Sequence, residues 1–222
     1  AYVEQMDALV EGGVDAILIE TVFDTLNAKV AIDAAMAVMA QRNIELPIMV
    51  SATVSDLAGR TLSGQTLEAF LASISSYPIF SVGLNCSFGA DQMIGFLRQL
   101  ARRAPYYISA YPNAGLPNSM GLYDETPESM APKIGAMINE GLVNIIGGCC
   151  GTDEHFIAEY LPLVAGKTPH RPAEASPYMQ LSGLELLEVT PEVHFVNVGE
   201  RCNVAGSRKF LRLIKEKQYD EA

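Results

Sequence analysis

Tryptophan is absent from the 222-residue chain, and histidine occurs only three times. Basic residues are also scarce: 15 Lys plus Arg face 26 Asp plus Glu, for a formal net charge of -11. Such a chain repels phosphate backbones, which argues against non-specific nucleic-acid binding. No apolar run approaches the roughly 18 residues of a membrane-spanning helix. The opening AYVEQMDALVEGG has no basic n-region, so it does not read as a secretory signal. Four cysteines are too few for a disulfide framework at this length. The expected compartment is the reducing cytoplasm, where cysteines serve as metal ligands, catalytic groups or buried filler. No G-x-G-x-x-G follows a strand pattern and no P-loop occurs, so neither nucleotide-binding signature is present. Apolar material is plentiful, at 49% of residues against 18% charged. That is enough for a sizeable core in one large domain or two modest ones.

The pattern alternates strand and helix. Strands are predicted at 16–20, 47–52, 79–85, 106–111 and 142–146. Helices are predicted at 27–39, 65–75, 91–103, 126–140 and 152–164, from apolar residues at helical spacing such as Ala28, Ala31, Ile32 and Ala35. Regular βα alternation implies an α/β fold with a parallel sheet, either doubly wound or closed as a (β/α)8 barrel. The texture changes near residue 166, where GKTPHRPAEASPYMQLSGLE holds three prolines and little periodicity. Residues 166–193 therefore read as a linker. Beyond it, 194–198 reads as a strand, GERCNVAGSRKF as a loop, and 208–218 as a basic amphipathic helix, the start of a second α/β domain.

The cysteines fall at informative places. Cys86 follows the strand IFSVGLN, and Cys149 and Cys150 follow the strand LVNII by way of Gly147-Gly148. Functional groups of parallel α/β folds collect at the C-terminal ends of strands, so these three thiols can converge although Cys86 and Cys149 lie 63 positions apart. Three thiolates with one open position would make a zinc site able to accept a substrate atom, whose thiol would lose its proton there. Spacing alone leaves packing, a strained vicinal disulfide and a metal site all open, since no C-x-x-C occurs. Glu20 ends the first strand and reads either as a solvated terminus or as a clamp for an amino group. Asn113 lies in the turn-like PNAG. His155 reads as a surface residue, and no Ser/His/Asp arrangement stands out.

GLNC, YPNAGLPN and GGCCGT, in this order, resemble the homocysteine-binding domain of the cobalamin-dependent methionine synthases. The wider family of homocysteine S-methyltransferases shares GLNC and GGCC. VEGGVDAILIETVFDTLNAK and DLAGRTLSGQT sharpen the likeness. FVNVGERCNVAGSRKFLRLIKE resembles the opening of the folate-binding domain of those synthases. The resemblance implies a (β/α)8 barrel carrying Zn on Cys86, Cys149 and Cys150, the metal ligands and catalytic residues. It implies that the homocysteine thiolate takes the methyl group of methylcobalamin, which methyltetrahydrofolate recharges. Glu20 would contact the substrate amino group. Asn113 would approach the metal when substrate is absent. Glu200 and Asn203 would lie near the pterin, and Cys202 stands where Thr is more usual.

Only about five βα units are predicted where the barrel needs eight. The expected organisation is the C-terminal part of the barrel over 1–165, a linker over 166–193 and the start of the folate domain over 194–222. The methylcobalamin would be held by a domain absent from this chain, and the piece is expected to be inactive alone. Two alternatives remain: a stand-alone homocysteine S-methyltransferase using S-methylmethionine or betaine, and a non-catalytic scaffold around a structural zinc.

Overall fold

A computed structural model describes residues 1–199 and 202–222. The chain divides into two units, Ala1–Glu188 and Val189–Ala222. The first is an α/β unit in which a helix follows each strand: α1 (Tyr2–Glu11), β1 (Ile17–Val22), α2 (Thr25–Arg42), β2 (Ile48–Ala52), α3 (Leu67–Ile74), β3 (Ile79–Gly89), α4 (Ala90–Arg103), β4 (Tyr107–Asn113), α5 (Pro127–Asn139), β5 (Ile145–Ile146) and α6 (Glu154–Val164). The strands form one parallel sheet in the order β1-β2-β3-β4-β5. Strictly sequential order is consistent with an arc of a barrel, whereas a doubly wound sheet reverses direction partway. Each helix touches the next, so the helices form one layer.

Local chemistry sets the helix boundaries. Asp24 caps α2 by accepting the Asn27 N–H at 2.8 Å, and Asn43 ends it in the left-handed conformation. Ala28, Ala31, Ile32, Ala35 and Val38 recur at helical spacing and bury one face of α2, their small size allowing close approach to the sheet. Thr66 caps α3 through the Ala69 N–H. Thr126 and Ser129 form a reciprocal capping box on α5, with Pro127 in the first turn.

Register separates the two faces of the sheet. Val50, Val82 and Ile108 lie in one row and Ala52, Leu84 and Ala110 in the next, all buried in the core against the helices. The intervening row is Ser51, Gly83 and Ser109, on the opposite face. That row is tight. A Cβ on Gly83 would lie 2.0 Å from the Ser109 Oγ and 2.1 Å from its carbonyl oxygen.

Two readings of the sequence need correction. The stretch 166–193, expected as a linker, contains a hairpin of β6 (Met179–Ser182) and β7 (Leu186–Val189). The hairpin seats on the start of α3: Leu184 accepts the Thr66 N–H at 2.9 Å, Ser182 Oγ donates to the Ala69 carbonyl at 2.7 Å, and Arg60 pairs with Glu185. In the second unit, 194–198 forms no strand; a 3-10 turn (Pro191–Val193) precedes irregular chain. Val196 and Val198 favour extended backbone, but a strand needs a partner for its ladder. The helix expected over 208–218 is α7 (Arg208–Lys215), capped by Ser207 and with Leu213 buried.

Gly83→Ala is expected to destabilise the chain by more than about 3 kcal/mol, because the clash involves the β4 backbone itself; a denaturant melt against wild type checks this. A second expectation concerns alkaline pH. Burial, reinforced by the Glu125 charge, pushes the Tyr160 phenol up to about 12, and its hydroxyl donates to Met130 Sδ at 3.3 Å. The folded state keeps this proton after the unfolded chain, at about 10, has lost it. Stability is therefore complete below pH 10 and falls as pH rises towards 12. Unfolding midpoints at pH 9 and 11.5 are expected to diverge less in Tyr160→Phe than in wild type.

Candidate metal centre

Each strand delivers its site residue by leaving the ladder. Between Asn85 and Gly89, β3 spends four residue steps where β4 spends two, from Tyr111 to Asn113. The excess is a bulge in which Cys86 (φ 62°) and Ser87 (φ 59°) are both left-handed. Non-glycine residues enter this region at a cost of order 1–3 kcal/mol each. A smaller bulge interrupts β1 between Ile19 and Val22, and there Thr21 is left-handed at φ 60°. Strain of this kind at the ends of the two strands that flank β2 marks a place where the fold holds side chains to a purpose.

The pair at 149–150 is gripped by the end of β4. Cys149 N–H donates to the Pro112 carbonyl at 2.9 Å, and Ala114 N–H donates to the Cys150 carbonyl at 2.9 Å. Asn113, buried, accepts the Cys150 N–H on its Oδ1 at 3.1 Å. The chain then turns at Gly151 (φ 80°), where the Tyr123 ring packs so closely that a Cβ would fall 2.5 Å from Cγ. Both features require glycine.

The three expected thiols therefore meet. Cys86 Sγ lies 3.7 Å from Cys150 Sγ, Cys149 Sγ lies 3.9 Å from Cys150 Sγ, and all three fall within 4.8 Å of one another. All are free and half-buried. Sulfurs on one tetrahedral ion, at about 2.3 Å each, stand about 3.8 Å apart, and the two separations to Cys150 match that spacing, so the donor set fits zinc. A vicinal disulfide is excluded by the same distances.

Electrostatics differ among the thiols. Burial pushes Cys149 up to about 11, assisted by the neighbouring Cys86 and opposed by a hydrogen bond from Asn85. Burial acts on Cys150 too, but hydrogen bonds involving Cys86, Tyr123, Cys149 and its own backbone together outweigh it and hold its thiol below the ordinary range. Burial, then contact with Cys150 and its neighbours, raises the Tyr123 phenol.

Other expected residues are placed differently. Glu20 is exposed at the end of β1, beside a cavity of about 400 Å3, and forms no ion pair among the described residues. Asn203, in the second unit, holds a local turn by accepting the Ala205 N–H at 2.9 Å. Cys202 is exposed, and Glu200 lies outside the described residues. His155 is an exposed first-turn residue of α6. A larger cleft of about 690 Å3, lined by Arg102, Arg103, Tyr106 and Tyr178, lies where β4 begins and so at the opposite end of the sheet from the thiols. No described helix is long and apolar enough to cross a membrane.

Two residues at the site had not been singled out. Asn85 is the polar end of a largely apolar strand run, a signal that could have drawn attention to it. Tyr123 lies in an ordinary-looking loop and gave none.

Among solved structures, the chain is similar to the homocysteine methyltransferase MmuM from Escherichia coli. To its apo form the identity is 22% over 72% of this chain and 57% of that one, with a TM-score of 0.49. To its metallated form the identity is 23% over 73% and 51%, with a TM-score of 0.48. The chain thus spans little more than half the length of these structures. Residues 1–161 match the family model for homocysteine S-methyltransferase, most of the sequence, and the chain accordingly belongs to that family.

Proposed function

We propose that this chain carries the thiol-activating centre of a methyltransferase of the cobalamin-dependent methionine synthase type, within a partial (β/α)8 barrel. The observation that supports it is the spacing of the three sulfurs. Cys86, Cys149 and Cys150 would hold a Zn2+ ion, leaving one position for the sulfur of homocysteine. When bound, zinc lowers the pKa of a coordinated thiol, so that substrate enters as thiolate near neutral pH.

The chain's own residues do the rest. The bulge of β3 and the turn after β5 fix the thiols before substrate arrives, so no ordering cost falls on binding. Asn113 holds the Cys150 amide and keeps the pair turned toward Cys86. Glu20 is the carboxylate for the substrate ammonium, since it is exposed on the end of β1 and uncommitted to any described cation. The homocysteine sulfur then forms its bond to the methyl carbon, and the electron pair of the broken bond leaves with the donor. Methionine, a neutral thioether, would be a poor ligand for such a centre.

The donor in this reading is methylcobalamin, recharged from methyltetrahydrofolate and carried by other domains of a parent protein. Its support is the GERCNVAGSRKF segment, with Glu200 and Asn203 assigned to the pterin. A stand-alone enzyme using S-methylmethionine or betaine has no need of that segment.

X-ray absorption on the zinc-loaded chain is expected to show three sulfurs and one lighter ligand, changing to four sulfurs with homocysteine. A fourth protein ligand that homocysteine cannot displace would mark a structural site and reject the proposal. Cys149→Ala is expected to lose stoichiometric zinc in elemental analysis. In the parent protein it should abolish methyl transfer to homocysteine while sparing folate-to-cobalamin transfer. Supplying methylcobalamin or S-methylmethionine in parallel assays separates the two donors.

Glu20→Gln is expected to weaken homocysteine binding about tenfold, the worth of one charged hydrogen bond. Binding of 4-mercaptobutanoate, which lacks the amino group, should not change; calorimetry with both thiols tests the assignment.

A further inference from the structure

Asn85 has the most committed side chain at the site. It is 1% exposed. Its Oδ1 accepts the Thr21 backbone N–H at 3.1 Å and the Ser51 hydroxyl at 2.8 Å. Its Nδ2 donates to Thr21 Oγ1 at 2.9 Å and faces Cys149 Sγ at 3.9 Å. A carboxamide offers two acceptor positions and two N–H groups. Here every one is assigned.

The orientation of the amide follows from these partners. A backbone N–H can only donate, so the atom facing Thr21 N must be the oxygen. The nitrogen is then fixed on the other side. One of its hydrogens is taken by Thr21 Oγ1, and among the described residues the acceptor left for the second is the Cys149 sulfur. An N–H buried this deeply costs about 1–3 kcal/mol if left unpaired. The acceptor is therefore required by the fold, and a thiolate meets the requirement far better than a neutral thiol.

The same side chain spans the two bulges. Thr21 is the left-handed residue of β1, and Asn85 immediately precedes the left-handed Cys86 and Ser87 of β3. One amide thus ties the strained point of β1 to the departure point of β3, with Ser51 of β2 between them, and ends on the sulfur delivered from beyond β5.

We propose that Asn85 is a positioning residue of the metal centre, fixing the β3 bulge that presents Cys86 and donating a hydrogen bond to the Cys149 thiolate that stabilises it as a ligand. This inference rests on the reading of the three thiols as a zinc site. It differs from that reading in assigning thiolate stabilisation to an uncharged group on a different strand.

The test uses the full chain with Zn2+ and Cd2+. Asn85→Asp has the shape of the native residue and keeps the acceptor for Thr21 N–H and Ser51, but turns an anionic oxygen on the sulfur. It is expected to weaken zinc binding at least tenfold in chelator competition. It should also shift the thiolate-to-metal charge-transfer band of the Cd2+ form to lower energy. Ser51→Ala removes one bond to the same amide without touching its N–H. It is expected to lower thermal stability while leaving the band in place and zinc affinity within about threefold. Equal effects of the two variants on the band would reduce Asn85 to a structural role and overturn the inference, as would an unshifted band with native affinity in Asn85→Asp.

If Asn85→Asp does not fold, the wild-type 113Cd form decides. One side-chain amide proton of Asn85 is expected to show scalar coupling to 113Cd through the Cys149 sulfur, and absence of that coupling overturns the proposal. A wild-type chain that takes up no metal overturns the reading of the site together with the inference. A wild-type chain that binds metal through the three cysteines, with Asn85 indifferent, overturns the inference alone.

Discussion

Two sulfur-bearing strand ends are separated by a whole strand: Cys86 leaves β3, the vicinal pair leaves β5, and β4 runs between them. Neighbouring strands stand nearly 5 Å apart, so β3 and β5 are held roughly 10 Å from each other. Sulfurs at 3.7 Å cannot arise from side chains pointing straight up such a sheet. Both backbones must lean over β4. The β3 bulge does this from one side and the turn through Gly151 from the other, while β4 ends in Pro112 and Asn113, whose carbonyl and carboxamide receive the arriving N–H groups of Cys149 and Cys150. The left-handed φ at Cys86 and Ser87 is the local consequence of that geometry.

The strain is held because the sheet beneath it is rigid on one face and close on the other. The helix-side rows of Val, Ile, Leu and Ala are buried to completion. The row Ser51, Gly83, Ser109 on the other face lets β3 and β4 pack with no side chain between them at Gly83. Small polar residues directly below the thiols also leave hydroxyls in reach of the site, and Ser51 reaches Asn85 in this way. A larger apolar residue in that row would fill the space but could not satisfy the carboxamide.

How far this was legible in the sequence depends on the range of the interactions. The five parallel strands follow from local apolar runs, and the observed bounds differ by a few residues. The β5 run was expected from Leu142, but Asn144 takes the Ile108 N–H on its side chain and shortens the strand to Ile145–Ile146. The cysteines were legible because position at a strand end is itself local. Asn85 was not, because its meaning lies in Thr21 and Ser51, 64 and 34 positions away. The β6–β7 hairpin was hidden for a related reason: its four-residue strands are stabilised by Arg60, Thr66 and Ala69 rather than by their own pattern. Residues 194–198 show the converse, with strand-forming residues and no partner strand among the described residues.

A neutral amide is the appropriate group against Cys149. An Arg or Lys there would stabilise a thiolate more strongly in isolation, but would itself have to be buried beside Thr21 and Ser51, at a desolvation cost of several kcal/mol. It would also offset the negative charge of any thiolate among the three sulfurs. The Asn85 N–H faces the Cys149 sulfur with one directed dipole and adds no net charge. Burial raises Cys149 to about 11 and the amide opposes that rise. The sheet geometry thus places beneath the three sulfurs a side chain whose four hydrogen-bonding positions match two bulges, one hydroxyl and one sulfur.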